Sequence, residues 1–284
     1  MKKIKAYLEL IRVKQWIKNV LVFVPMICAK QFGLDTIVSV GIGFLSFSFL
    51  ASFIYIVNDI RDLEKDKAHS RKKKRPLPSG RVSKTEAIVL AFCMLILSLI
   101  LGYCSRMTFM NIAWIFWIVY LAINLGYSFG LKNVAIVDIA LLSAGFIIRV
   151  YYGGALADVV VSNWLFLTIL SASMFLALGK RKKEFLAGGS SVRKVLAKYS
   201  EGYVDKFIYV FLSLTFVFYA LWAMEQNNNY IIFTVPIIVL IFMEYCLIME
   251  KSDEGDPSTI LFQSKTLLGL CAVYGVTMVL AFCL

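Results

Sequence analysis

The sequence predicts an all-α polytopic membrane protein with nine transmembrane helices. Of its 284 residues, 60% are apolar and only 17% are charged, a composition far from that of an ordinary globular domain. Apolar runs of about 20 residues, the length that a helix needs to cross the hydrocarbon core, recur along the whole chain. The basic residues are concentrated in every second connecting segment, as expected for loops on one side of a membrane.

The apolar runs define nine predicted spans within a single transmembrane catalytic domain, residues 1–284. Two connecting segments, 58–85 and 180–204, are long and polar, and we expect them to cap the domain on the cytoplasmic side. The predicted spans are 19–34, 37–57, 86–104, 109–128, 134–154, 161–179, 205–224, 230–249 and 265–284.

The 30 lysines and arginines predict the orientation of these spans. All but three lie in segments that nine crossings place on one side; the exceptions are Lys30, Arg106 and Arg149. Because short cytoplasmic loops carry the basic excess, we expect a cytoplasmic amino terminus and active site, and an external carboxyl terminus, in the cell (inner) membrane. The net charge of +12 is then mainly a topology signal, and attraction to anionic lipid comes next. Nucleic-acid binding is not expected, since no soluble domain presents a basic face.

Other residue types narrow the class further. The six cysteines lie in or beside predicted spans without Cys-x-x-Cys spacing, so we interpret them as packing residues. His69 is the only histidine, which argues against a histidine-ligated metal centre and a Ser-His-Asp triad. Residues 1–18 combine basic residues with apolar positions at helical spacing, which predicts an interfacial helix on the cytoplasmic leaflet.

The acidic stretch that follows the second predicted span is the strongest indication of chemistry. On a continuous helix Asn58, Asp59, Asp62 and Asp66 fall within a sector of roughly 100°. Two carboxylates about 6 Å apart repel by roughly 3 kcal/mol at an effective dielectric constant of about 20, so the cluster calls for a cation. Mg²⁺ binds few carboxylates together with substrate phosphates, which suits this arrangement. A solvated, charged helix end is the alternative interpretation.

A second polar segment begins at another predicted helix end, with Lys180, Arg181 and Glu184. These cations either complement the helix dipole or, if the two polar loops meet, face phosphates held by the metal. The first loop contains five consecutive cations, residues 71–75, before a turn formed by residues 76–80. For most of these five we favour a role in setting topology.

Polar side chains inside predicted spans are candidates for lining a chamber, because an isolated charge in a bilayer is costly. They include Asn124, Tyr127, Asp138 and Arg149. Asp138 and Arg149 are about 16 Å apart on a straight helix, so each needs another partner. Glu244, on the eighth predicted span, also needs a partner, and we assign none from the sequence.

The pattern Asn58-Asp59-x-x-Asp62-x-x-x-Asp66, followed by Arg75-Pro76-Leu77-Pro78-Ser79-Gly80, resembles the first signature of the UbiA superfamily of intramembrane prenyltransferases. The resemblance implies a nine-helix bundle around a cytoplasm-facing cavity. A second aspartate-rich motif, usual in this superfamily, is missing. Instead Leu178-Gly179-Lys180-Arg181-x-x-Glu184 is similar to the decaprenyl-phosphate phosphoribosyltransferase branch, as are residues 12–19, 124–132 and 145–149.

This branch implies Mg²⁺-dependent transfer of 5-phosphoribosyl from phosphoribosyl diphosphate to a polyprenyl phosphate. Asp59, Asp62 and Asp66 would be the catalytic metal ligands, with Asn58 orienting the diphosphate. Homo-oligomerisation is left open. The other residues that the resemblance implies in substrate binding are Lys18, Tyr127, Lys132, Arg149, Lys180, Arg181 and Glu184.

Two other functions compete with this one. A conventional UbiA prenyltransferase would move an isoprenyl group from its diphosphate to an aromatic or other small acceptor. A transporter or lipid carrier would also place charges in the membrane, but it would not need clustered aspartates that bind magnesium.

Overall fold

The computed structural model describes residues 2–68, 72–105, 111–188, 194–226, 228–252 and 255–283, and these residues form helices and turns without strands. The predicted all-α class is therefore confirmed. His69, Arg71 and Arg106 lie outside the described residues. The chain forms two compact units, Met1–Ser128 with Ile148–Val160, and Phe129–Ile147 with Val161–Leu284.

The first unit contains six α-helices and the second half of a seventh. A 3-10 helix, Val13–Phe23, follows the first α-helix, and a short one, Lys72–Lys74, follows the fourth. The α-helices are α1 (Lys2–Leu10), α2 (Val24–Cys28), α3 (Leu34–Arg61), α4 (Leu63–Ala68), α5 (Lys84–Cys104), α6 (Ala113–Phe129) and α7 (Val137–Ala157).

The second unit contains the first half of α7 and five further α-helices. Short 3-10 helices cover Leu131–Asn133, Lys194–Lys198 and Ile231–Phe233. The α-helices are α8 (Asn163–Leu186), α9 (Glu201–Glu225), α10 (Thr234–Lys251), α11 (Pro257–Leu261) and α12 (Lys265–Cys283).

Seven helices among the described residues are long and apolar enough to span a membrane, and α6 is a shorter apolar helix. The predicted count of nine spans is not confirmed. Two predicted spans account for the difference. Span 109–128 corresponds to the shorter helix α6. In the first predicted span, residues 19–34, the chain forms the end of the 3-10 helix Val13–Phe23, the five residues of α2 and a turn.

Close backbone packing explains this irregular segment. Trp16 Nε1 donates to Ser52 Oγ at 3.0 Å, and Asn19 Nδ2 donates to Ser48 Oγ at 2.9 Å, so serines of α3 hold the segment at two levels. A Cβ on Gly153 would lie 1.9 Å from the Val22 carbonyl oxygen. Only glycine permits this approach, which fixes the segment against α7.

The core of the first unit encloses a buried arginine. Arg149 is 5% exposed; its Nε donates to Asn19 Oδ1 at 2.7 Å and its Nη2 to Tyr120 Oη at 2.7 Å. The guanidinium also lies over the rings of Phe47 and Tyr120, at 5.3 and 4.8 Å from their centroids. Hydrogen bonds and cation–π contacts thus replace the hydration of this cation.

Helix α1 is anchored to the first turn of α5. Ser83 and Glu86 form a capping box, and the Glu86 carboxylate also accepts from Tyr7 Oη at 3.1 Å and pairs with Lys3 at 2.6 Å. Ala6 and Leu10 are buried, whereas Ile4 and Leu8 are exposed. This division of apolar residues suits the predicted interfacial helix, which stays a prediction.

The core of the second unit brings the end of α8 against α10. Phe175 and Leu178 are buried with Tyr245 and Met249. A Cβ on Gly179 would lie 2.8 Å from the Met249 sulfur, so the helices approach closely where α8 leaves the apolar core. The basic carboxyl-terminal turn of α8 therefore lies just beyond this apolar core.

Candidate functional site

The acidic segment of the first unit bends at its middle aspartate. Helix α3 ends at Arg61, Asp62 forms its C-cap, and Asp66 lies on α4. Asp59 and Asp66 are 2% and 4% exposed, whereas Asp62 is half-buried. The helix geometry used to place these residues on one face is therefore interrupted at Asp62. Asp59 and Asp66 nevertheless converge on one shared cation, Arg75.

The two aspartates pair with three basic side chains, of which Arg12 is distant in sequence. Arg75 Nη1 lies 2.8 Å from Asp66 Oδ2 and 3.3 Å from Asp59 Oδ1, so one guanidinium nitrogen bridges the two carboxylates. Arg12 Nη2 donates to Asp59 Oδ1 at 2.5 Å, and Lys72 Nζ lies 3.8 Å from Asp66 Oδ1. A buried carboxylate stays ionised only when such cations offset its lost hydration.

The backbone at Arg12 is shaped to reach Asp59. Arg12 has left-handed torsion angles, φ 54° and ψ 50°, which a non-glycine residue seldom adopts. Ser52 Oγ donates to the Ile11 carbonyl at 2.8 Å and holds the turn on α3. The Arg12 guanidinium also lies 4.9 Å from the Tyr55 ring centroid. The local strain is thus offset by contacts that fix the arginine beside the aspartate.

The segment after the basic tract forms a closed turn. Backbone N–H groups of Ser79 and Val82 donate to the carbonyls of Arg75 and Pro76, at 3.0 and 3.1 Å. Arg81 Nη2 donates to the Lys74 carbonyl at 2.8 Å. Gly80 has φ 73°, a left-handed conformation that favours glycine. The prolines and glycine therefore make the turn that the sequence predicted.

A cavity of about 370 Å³ opens between α1, the end of α3 and this turn. Its size falls within the range of about 300–1,000 Å³ common for small-molecule sites. Four lining side chains are cationic and two are acidic, so the cavity favours an anion. Its lining residues are Glu9, Arg12, Gln15, Asp59, Lys74, Arg75, Pro76 and Arg81.

The donor atoms of this site fit a divalent cation. Asp59 and Asp66 direct hard carboxylate oxygens at one point, where Arg75 Nη1 supplies the positive charge. Over the described residues, no three acidic, histidine or cysteine side chains gather closely enough to hold a metal ion. Two converging aspartates match a magnesium ion that completes its coordination with water and substrate phosphates.

The remaining residues predicted in the first unit occupy different surroundings. Asn58 Oδ1 accepts from Ser128 Oγ at 3.2 Å, which joins the motif to α6. Lys18 and Tyr127 are half-buried. Arg149 lies in the unit's core, enclosed by Asn19, Tyr120 and Phe47. These contacts favour a structural role for Arg149 over the substrate contact that the resemblance implies.

In the second unit, Arg181 is the centre of a buried ion-pair cluster. Its side chain is fully buried; Nε lies 2.7 Å from Asp138 Oδ2, and Nη1 pairs with Glu184. Tyr199 Oη donates to Asp138 Oδ1 at 2.7 Å and accepts from the Ile136 N–H at 2.5 Å. The inference that Asp138 and Arg149 need separate partners agrees with these contacts.

The burial of Arg181, with Glu184 as its half-buried partner, favours a structural role for both over the substrate contact that the resemblance implies. Direct contact with a substrate phosphate would require Arg181 to abandon two carboxylates, at a cost of several kcal/mol. The cluster instead fixes the last turns of α8, from which Lys180 extends half-buried. Lys182 pairs with Asp205 at 2.7 Å, and Lys183 donates to the Glu250 carbonyl at 3.1 Å. Lys132, also half-buried, lies on the 3-10 helix Leu131–Asn133.

Several site residues were given no role by sequence reasoning. Arg75 belonged to a tract interpreted mainly as a topology signal, and Arg12 and Arg81 were not singled out. For Arg75 and Arg81 the available signal was their position in the sequence, because they flank the Pro-Leu-Pro-Ser-Gly turn that follows the aspartates. Tyr199 had no such signal, because its partners Asp138 and Ile136 are more than 60 residues away.

Comparison with known proteins extends over the whole chain. The UbiA prenyltransferase family model matches residues 19–267. The chain belongs to the UbiA prenyltransferase family. The solved structure of a UbiA homologue from Archaeoglobus fulgidus bound to GPP and Mg²⁺ shares the fold, with a TM-score of 0.72 at 17% identity over 98% of both chains.

Two relatives within the UbiA family carry the same name. Decaprenyl-phosphate phosphoribosyltransferase from Corynebacterium glutamicum is 34% identical over 95% of this chain and 85% of its own length. The Mycolicibacterium smegmatis protein of that name is 32% identical over 93% and 88% of the two chains. Family membership and these relatives identify the chain as a membrane transferase, which removes the transporter interpretation.

Proposed function

We propose that this UbiA-family enzyme transfers 5-phosphoribosyl from phosphoribosyl diphosphate to a polyprenyl phosphate and releases diphosphate. The single observation that carries the proposal is the convergence of Asp59 and Asp66 beside an anion-binding cavity. The names of the two relatives support the choice of substrates. A phosphorylated sugar diphosphate offers anionic groups to both parts of this site.

Asp59 and Asp66 would hold Mg²⁺, and Asp62 and Asn58 are the further oxygen donors proposed for the ion. When bound, Mg²⁺ would neutralise charge on the diphosphate group as it departs. Arg12 and Arg75 lie at these aspartates and would donate charge-assisted hydrogen bonds to the same phosphates. These residues would thus stabilise the negative charge that develops on the departing diphosphate.

In the proposed reaction, a phosphate oxygen of the lipid attacks the anomeric carbon of the sugar. A bond forms between that oxygen and the carbon, and the bond from the carbon to diphosphate breaks, with its electron pair leaving on diphosphate. The lipid phosphate is already anionic, so the reaction needs no general base.

Other assignments complete the proposal. Lys18 and Tyr127 in the first unit, and Lys132 and Lys180 in the second, are the further residues proposed to bind substrates. Arg181 and Glu184 are proposed to position the end of α8. The basic segments favour a cytoplasmic amino terminus and site in the cell membrane.

One assay tests the substrates. Purified protein is incubated with Mg²⁺, polyprenyl phosphate and labelled phosphoribosyl diphosphate, and the expected product is a labelled lipid with the mass of a phosphoribosyl-phosphoryl-polyprenol. A parallel reaction supplies labelled isoprenyl diphosphate and an aromatic acceptor. Labelling only in that parallel reaction would overturn the proposal in favour of a conventional prenyltransferase.

A further inference from the structure

We propose that the basic cavity of the first unit is a phosphomonoester-binding site that takes the terminal phosphate of the sugar donor. The inference rests on the proposed function for the identity of the donor. It adds a binding site for the end of the donor opposite its diphosphate, and it assigns Lys74 and Arg81 to that site.

The lining of the cavity carries an excess of positive charge, which favours binding of an anion. Arg12, Lys74, Arg75 and Arg81 line it against two acids, Glu9 and Asp59, which leaves two positive charges in excess. A phosphomonoester carries nearly two negative charges at neutral pH. The ligand would therefore neutralise the lining.

One of these cations is available without breaking an ion pair. Arg12 and Arg75 pair with Asp59, and Arg81 pairs with Glu9 at 2.7 Å. Lys74 lines the cavity but forms no ion pair with any residue that the structure describes. A lysine that is exposed on a cavity wall can turn to an incoming phosphate at little cost.

The wall that presents this lysine is organised before any ligand arrives. Arg81 holds the Lys74 carbonyl through Nη2, and its Nε donates to Ser79 Oγ at 3.2 Å. Leu77 and Val82, at 4% and 1% exposure, anchor the turn in the apolar cluster beneath. Preorganised donors lose less entropy on binding, which favours a specific ligand site.

The position of Asp59 links this site to the metal site. Asp59 lines the cavity and also converges with Asp66 on Arg75, so a ligand with phosphates at both ends can occupy both sites. Pro76 is the sole apolar residue among those described as lining the cavity. An isoprenoid chain would find almost no apolar surface here, which favours the phosphate of the sugar over that of the lipid.

Binding of ribose 5-phosphate tests the site independently of catalysis, because this probe has the phosphomonoester but no diphosphate. Calorimetric titration of the purified, full-length protein should detect the probe but not ribose. Lys74→Ala should weaken binding about tenfold, the loss of one charge-assisted hydrogen bond. Glu9→Gln should tighten binding, because it removes a negative charge from the lining.

Lys73→Ala is the matched control, since Lys73 is the exposed neighbour on the same 3-10 turn and does not line the cavity. Its affinity for ribose 5-phosphate should equal that of the wild type. Equal affinities in the Lys74→Ala and Lys73→Ala proteins, or equal binding of ribose and ribose 5-phosphate, would overturn the proposal.

Steady-state kinetics distinguish the two sources of a phosphomonoester. With Lys74→Ala we expect KM for phosphoribosyl diphosphate to rise about tenfold while KM for polyprenyl phosphate stays unchanged. A rise for polyprenyl phosphate instead would overturn the donor assignment. If Lys74-dependent binding of ribose 5-phosphate persists in a protein that transfers no phosphoribosyl group, the proposed function fails and the phosphomonoester site stands.

Discussion

Arg12 donates a 2.5 Å hydrogen bond to Asp59, a residue 47 positions further along the chain. The contact joins the turn after α1 to the aspartates that end α3. A substitution of Asp59 therefore removes a contact of the amino-terminal segment. The arginine also lines the basic cavity, so one side chain serves both proposed binding sites.

The two converging aspartates should be required for transfer. We expect Asp59→Asn and Asp66→Asn each to lower kcat by about 100-fold or more, since each removes charge that holds the metal and hence the leaving group. The measurement is the rate of lipid labelling at saturating donor. Glu64→Gln is the control, because Glu64 lies between them in sequence with a side chain 81% exposed. A full rate in Asp59→Asn would contradict the assignment.

Arg75 should stabilise the protein most when magnesium is scarce. Arg75→Ala leaves Asp59 and Asp66 without their bridging cation, and we expect a loss of about 1–3 kcal/mol of folding stability. Added Mg²⁺ should restore much of it, because a ligand that binds only the folded state stabilises that state. Thermal unfolding in detergent, with and without MgCl₂, measures both effects. The Lys73→Ala protein should match the wild type in stability and in its response to Mg²⁺. If Mg²⁺ stabilises Arg75→Ala no more than it stabilises the wild type, this would count against a metal at this point.

The ion cluster at Arg181 should be essential for folding of the second unit. Arg181→Met leaves Asp138 buried without its guanidinium partner, and we expect a cost of about 3–5 kcal/mol. The double variant Arg181→Met/Asp138→Leu should recover part of this loss, because no buried charge remains. Lys183→Ala, which removes only a hydrogen bond to a carbonyl, is the control. If the double variant is less stable than Arg181→Met, the buried charge is not the cause.

Tyr199 should make stability sensitive to alkaline pH. Burial, the largest cause, raises the pKa of Tyr199 from 10 to about 12, and the hydrogen bond to Asp138 acts in the same direction. The folded protein therefore holds this proton more tightly than the unfolded chain. The resulting stability is present below pH 10 and is lost as pH rises towards 12.

Tyr199→Phe tests this directly. Between pH 8 and 9 the wild type should unfold at a higher temperature than the variant, because Tyr199 also satisfies the Ile136 N–H. Above pH 10 the difference between the two proteins should narrow. A difference that stays constant up to pH 11 would refute the role of this hydroxyl group.

Apolar runs and basic loops were enough to predict an all-α membrane protein, because the length and polarity of a span are local properties. The prediction of a spanning helix at residues 19–34 was wrong, because the conformation of this segment depends on Gly153 and on serines of α3, which lie far away in sequence. The position of Asp59 and Asp66 could be read from a short motif. Their cations could not, since Arg12 reaches Asp59 only through a left-handed turn held by Ser52.

The partners of polar residues inside the predicted spans also could not be predicted from the sequence. The separation of Asp138 and Arg149 along α7 correctly indicated that each requires another partner. The identity of each partner depends on packing between helices. Sequence spacing alone could not show that Arg181 pairs with Asp138 or that Tyr120 contacts Arg149. The burial of Arg181 likewise favours a supporting role at the end of α8, although its motif resembles a substrate-binding one.

Glu86 receives the Ser83 N–H at 2.9 Å while it holds Lys3 and Tyr7 of α1. A missense change of this one carboxylate would remove the polar contacts that attach α1 to α5, while the buried Ala6 and Leu10 and the Ser52 hydrogen bond would still hold α1 and the turn at Arg12. A genetic screen should therefore recover alleles at codon 86 as partial losses of activity, milder than lesions in the aspartate motif.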